Sequence, residues 1–145
     1  MTIVMSLLYG DDFDGQISLS GKNYVFCRLF YNCKNVISAS NLILPVTTLA
    51  DKCYRFMFDS CTNLTKAPKL PATTLANGCY YRMFYKCSKL NSITCYATTN
   101  ITTTNLNNWV YGVSGTGTFT GDPSSSWPSG VSGVPTGWSS NVQQQ

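Results

Sequence analysis

The chain has 145 residues, 43% of them hydrophobic, which suits one domain with a buried core. Only 11% are charged, and the net charge of +4 comes from lysines and arginines standing singly, without the runs or stripes of a nucleic-acid binder. There is no histidine, the six acidic residues are all aspartate, and no segment reaches the roughly 18 apolar residues of a membrane helix.

The chain opens with TIVMSLLYG and GQISLS, which read as two strands of a hairpin joined through the turn at residues 10–15. The DDFDG turn invites a calcium reading, but an EF-hand loop closes on a glutamate that this chain lacks, and aspartates favour turns in any case.

Residues 44–64 and 70–90 then repeat one frame, LP-x-TTLA-xx-CY-xx-MF-xx-C-xx-L, at a period of 26, and residues 25–36 carry a worn third copy. A period in the twenties predicts stacked units that bury their faces against one another. Within the best copy Leu75, Cys79, Met83 and Cys87 recur every fourth residue beside Tyr80 and Phe84, the spacing of an amphipathic helix. Thr48 with Asp51, and Thr74 with Asn77, resemble helix-start boxes just after Pro45 and Pro71. Leu64, Ala67 and Leu70 mark an extended run, and the first copy carries two extra residues near 38–43.

After Leu90 the frame fails. Ile93 and Cys95 resemble the start of another strand, Leu106, Trp109, Val110 and Val113 a short helix, and GTGTFTG a strand. The Ser/Gly/Pro-rich tail holds Trp127 and Trp138, too much aromatic surface for a linker, and reads as a cap with frayed last residues.

Seven cysteines raise the question of disulfides or zinc. Cys53 and Cys79 share one repeat column and Cys33, Cys61 and Cys87 another, as packing would produce, and there is no CxxC. Buried free thiols are the leading reading; some disulfide pairing is the other. Cys27 and Cys95 fall outside both columns.

These residues resemble the BspA-like leucine-rich repeats of surface proteins from gut and oral anaerobic bacteria and their phages. The match is full over residues 64–90 and nearly full over 44–64; Ile93-Thr94-Cys95, Asn108-Trp109-Val110, Gly117-Thr118-Phe119 and 134–138 are similar to family C-termini. Val25 departs from it where the first cysteine column begins. The resemblance implies an α/β solenoid: a β-hairpin cap over 1–21, repeats over 22–95 and an α+β cap over 96–145. It carries no shared binding residues.

Catalysis finds no constellation of base, nucleophile and orienting group; Cys27 beside Arg28 is the nearest approach. The reading is therefore non-catalytic, with no metal and no cofactor. A helical wheel places Tyr81, Arg82 and Tyr85 opposite the apolar face, with Arg55, Phe56 and Asp59 aligned in the middle copy and Cys27, Arg28 and Tyr31 in the first. The candidate binding residues are Arg28, Tyr31, Arg55, Phe56, Tyr81, Arg82 and Tyr85, with Lys66 and Lys69 on a second face; Tyr24, Tyr54 and Tyr80 read as core. Tyrosine and arginine are enriched at interfaces, although exposed positions also vary freely. The expected function is a binding or adhesion module for a host or bacterial surface protein or glycan, extracellular, with its export signal outside this chain. The alternative is a structural or receptor-binding part of a phage tail or fibre, which would oligomerise.

Overall fold

The computed structural model describes residues 2–145; Met1, the first residue of the expected 1–21 cap, lies outside them. The expected α/β solenoid is not the architecture found. Among the described residues there is one α-helix of four residues, α1 (Ser6–Tyr9), continued by a 3-10 turn over Gly10–Phe13. The strands form only small parallel sheets of two or three, and most of the chain is turn and loop.

The expected helices fail for a local reason. Residues 23–32, 51–60, 77–86 and 103–112 are instead unbroken runs of turns. Each run turns left-handed at every fourth residue: Tyr24, Arg28 and Asn32; Lys52, Phe56 and Ser60; Gly78, Arg82 and Lys86; then Asn108 and Gly112. One left-handed residue already breaks an α-helix. The backbone donors then alternate. Met83 and Tyr85 donate within their own run, to the carbonyls of Tyr80 at 3.0 Å and Arg82 at 3.3 Å. Between them Arg82, Phe84 and Lys86 donate to the next run, to Asn107, Trp109 and Tyr111 at 3.0, 2.8 and 2.7 Å. The same alternation links 23–32 to 51–60 and 51–60 to 77–86.

The hairpin at the start is also corrected. β1 (Thr2–Ile3) pairs in parallel with β2 (Leu42–Ile43), and Ser18 bridges Thr48, so both segments lie along the first repeat instead of on each other. Two further parallel series run through the fold. One links Ser18, Thr48, Thr74 and Thr99; the other links Ser38, Lys66 and Ser92, continuing through β3 (Ser92–Thr94) and β4 (Thr118–Thr120) to β6 (Ser139–Ser140). The pairing offset falls by two between Ser38–Lys66 and Thr48–Thr74, which puts the two extra residues of the first copy between those pairs. There the chain bulges around an open hollow of about 620 Å³ lined by residues 40–45, Lys69 and Pro71.

The stretch expected as a terminal helix, residues 106–113, belongs to a fourth turn run bonded to the third. The tail beyond it is ordered by its tryptophans. Trp109 and Trp127 are fully buried, and their indole N–H groups donate to the Gly133 carbonyl at 2.8 Å and the Ser125 hydroxyl at 3.1 Å. Gly133 admits no side chain, since a Cβ would lie 1.7 Å from the Pro128 carbonyl oxygen. The last residues are not frayed: β7 (Gln143–Gln144) pairs with β5 (Ser126–Trp127).

Rings from successive units stack through the core. Phe26, Tyr54, Tyr80, Trp109 and Trp127 lie at centroid spacings of 5.9, 6.1, 6.0 and 5.8 Å. Phe30, Phe58 and Phe84 form a second stack at 5.1 and 5.7 Å. Offset ring pairs add to the burial of large apolar side chains. Tyr24 is not part of this core: it is 48% exposed, because its column continues with Lys52 and Gly78 while Phe26 aligns with Tyr54.

All seven cysteines are free thiols, five of them buried. Their columns have a hydrogen-bonding cause as well as a packing one: Cys61 donates to the Phe30 carbonyl and Cys87 to the Phe58 carbonyl, each at 3.0 Å. Burial pushes the Cys61 thiol up to about 11 and those of Cys53 and Cys95 up to about 12, and raises Cys79 and Cys87 too.

At Lys86, left-handed with φ of 57°, Lys86→Gly is expected to leave stability within about 0.5 kcal/mol in urea unfolding, whereas Lys86→Val costs about 1–2 kcal/mol. A helical run would instead lose about 1 kcal/mol on Lys86→Gly. The raised thiols predict an alkaline limit. Their stabilising effect is full below the unfolded thiol pKa of about 8.5 and is lost as pH rises towards the folded values of about 11 to 12. The melting temperature should hold up to roughly pH 8.5 and fall steadily above it; no fall across that window would contradict the buried thiols.

Candidate functional site

The turn runs project a set of side chains outward because the left-handed residue and the one before it sit at the outer bend. These positions carry Cys27 and Arg28, Arg55 and Phe56, Tyr81 and Arg82, then Asn107 and Asn108. Stacking the runs brings the arginines of one unit over the rings of its neighbours. The Arg28 guanidinium carbon lies 5.6 Å from the Tyr31 ring centre and 5.0 Å from that of Phe56. Arg55 lies against both Phe56 and Tyr81, at 4.7 and 4.5 Å from their ring centres. Arg82 sits 3.7 Å from Tyr85 and 5.2 Å from Phe56. Phe56 meets Tyr81 edge-on at 5.4 Å.

Seven of the nine sequence-predicted residues are thus brought into one surface: Arg28, Tyr31, Arg55, Phe56, Tyr81, Arg82 and Tyr85. Lys66 and Lys69 are exposed and are not part of it; Lys66 lies on the series between Ser38 and Ser92, and Lys69 has its ammonium 5.0 Å from the Tyr96 ring centre. The expectation that Tyr81, Arg82 and Tyr85 stand clear of the protein is corrected, since all three are half-buried by neighbouring units.

The electrostatics are one-sided. Asp59, which the alignment places beside the cluster, is 1% exposed. Its carboxylate pairs with Arg82 at 3.0 Å and accepts a hydrogen bond from the Ser60 hydroxyl at 2.7 Å. The Arg82 contact is an ion pair and not an aligned hydrogen bond, as Asp59 Oδ2 has no hydrogen-bond donor among the described residues. That is the one ion pair among the described residues, leaving Arg28 and Arg55 unneutralised. Cation–π contacts of this kind contribute about 0.5–1 kcal/mol each at exposed sites and about 2 when desolvated, so the cluster is held in place by its own contacts.

Sequence reasoning missed Lys52, Asn77, Tyr111 and Asn107. Tyr111 stacks on Tyr85 at 5.0 Å, extending the tyrosine column by one unit. Its signal was available once residues 103–112 are aligned as a fourth copy. Lys52, Arg55, Asn77, Gly78, Tyr81, Thr104 and Asn107 surround an open basin of about 330 Å³ spanning three turn runs. No group of three or more metal-binding side chains occurs among the described residues, and none of their helices is long and apolar enough to cross a membrane.

No protein-family model matches the chain, and no curated protein sequence and no solved structure matches it.

Arg82→Ala would strand the buried Asp59 carboxylate and is expected to cost roughly 2–3 kcal/mol in urea unfolding. Arg28→Ala, which has no acidic partner and loses two exposed ring contacts, should cost about 1 kcal/mol. Equal losses would show that the ion pair contributes nothing to the fold.

Proposed function

We propose that the chain is a non-catalytic binding module of a surface-exposed protein, engaging a protein or glycan through the outer bends of its turn runs. One observation carries the reading: three arginines set against rings of their own and neighbouring units at 3.7–5.6 Å, two of them without a carboxylate partner. Rigid, amphipathic side chains of this sort lose little rotamer freedom on binding, and unneutralised guanidinium groups supply charge for recognition. Positions around them in the frame bury the core, while these vary from unit to unit. The resemblance of the repeat frame to bacterial surface proteins supports an extracellular setting.

The reading is tested by light scattering followed by screening on arrays of surface proteins and glycans. A monomer that binds one ligand class, and loses about tenfold or more of that affinity on Arg28→Gln or Tyr85→Ala, is the expected result. A stable trimer or larger assembly with no array binding would overturn it in favour of a structural part of a larger particle.

A further inference from the structure

The geometry points to the basin between Arg55 and Asn107 as a site for a carboxylate-bearing sugar, such as a uronic or sialic acid residue; the inference deepens the binding-module reading and rests on it. The basin is about 330 Å³, near the lower end of what holds small ligands. Its cationic groups come from the second unit and its neutral polar groups from the third and fourth.

Arg55 is the fixed point. Its guanidinium carbon lies 4.7 and 4.5 Å from the centres of the Phe56 and Tyr81 rings, which meet edge-on beside it, and its Nε is buried with no hydrogen-bond partner among the described residues. A guanidinium so held is partly desolvated before any ligand arrives, so a carboxylate that reaches its exposed edge gains more than it would from a freely solvated arginine. Lys52 adds a second positive charge on the rim. Its ammonium has no carboxylate partner among the described residues; it donates to the Tyr24 hydroxyl at 2.8 Å and lies over that ring. Gly78 keeps the wall open, because a Cβ there would stand 3.2 Å from Lys52 Cγ.

The remaining lining decides what kind of anion fits. Asn77, Asn107 and Thr104 each carry a donor and an acceptor and none is charged; Asn107 Oδ1 already accepts from the Asn108 amide at 3.1 Å and keeps a second lone pair. A sulfate uses donors alone and would leave those acceptors idle, and hydrogen phosphate offers them a single O–H. A sugar acid presents one carboxylate and several hydroxyls, which both donate and accept. Two cations beside three amphoteric polar groups match that composition.

The test is a titration of isotope-labelled protein followed by amide shifts, with sodium glucuronate and sodium N-acetylneuraminate as probes and glucose, sodium acetate and hexa-aspartate as comparisons. One of the two sugar acids should saturably shift Gly78, Thr104 and Asn107, with glucose and acetate each about tenfold or more weaker. Lys52→Gln and Arg55→Gln should each lower that affinity about tenfold, and raised salt should weaken it. Lys52→Gln removes neither ring contact of Arg55 and serves where Arg55→Gln fails to fold. Equal binding of glucose, equal or tighter binding of hexa-aspartate at these amides, or no saturable shift with either acid would overturn the proposal. If array binding is abolished by Tyr85→Ala but untouched by Lys52→Gln and by excess sugar acid, the basin is wrong while the binding face stands. Loss of all array binding removes both.

Discussion

The fold depends on how the backbone N–H groups of each turn run are shared out. A left-handed residue at every fourth position turns alternate donors away from their own run, and each finds a carbonyl of the following unit at 2.7–3.2 Å. Left-handed backbone at non-glycine residues such as Phe56 and Arg82 is costly, and it persists only where the surroundings over-determine it. Here the surroundings are the neighbouring units. The aromatic stacks and the cysteine columns follow from the same register, because rings and thiols at equivalent positions are brought one over the next.

The surface cluster inherits this arrangement. Positions at the outer bend give their backbone groups to the ladder and turn their side chains outward, so their spacing across units is fixed by hydrogen bonds at the backbone. Arg55 can therefore sit against both Phe56 of its own unit and Tyr81 of the next, where the two rings meet edge-on. Asp59 shows the limit of that freedom. It lies in the same column as Tyr31 and Tyr85 yet is buried, and it is tied to Arg82 from the adjoining unit.

Much of this was legible in the sequence. The repeat frame located the buried rows, the two extra residues of the first copy and seven of the residues that meet on the surface. The error lay in the local geometry. On an α-helix a strict four-residue recurrence drifts by about 40° at each step, so Leu75, Cys79, Met83 and Cys87 could not all share a narrow face, whereas turns of period four keep them aligned. Gly78, Asn32, Asn108 and Gly112 at the bends are residue types that accept left-handed backbone and carried that signal. The fourth run escaped notice because Leu106 and Val110 replace Tyr80 and Phe84, and because Asn105 stands where cysteine stands in the two units before it. The basin was not visible because its residues, although all but Asn77 fall in two columns of the frame (Lys52, Gly78 and Thr104; Arg55, Tyr81 and Asn107), change type from unit to unit.

The inter-run hydrogen bonds all point the same way: the earlier unit gives the proton and the later one receives it. The two broad ends of such a stack are therefore not interchangeable. One is edged with acceptors and the other belongs to the donor side, so two copies brought together by a twofold axis through the first run would set oxygen against oxygen. Pairing along that edge has to be head-to-tail, with the incoming backbone supplying the protons. The polarity of a single backbone turn, repeated, thus gives this edge a direction, while the parallel series elsewhere carry donors both ways, as where Thr65 donates back to Ile37 and Ala39 donates forward to Lys66.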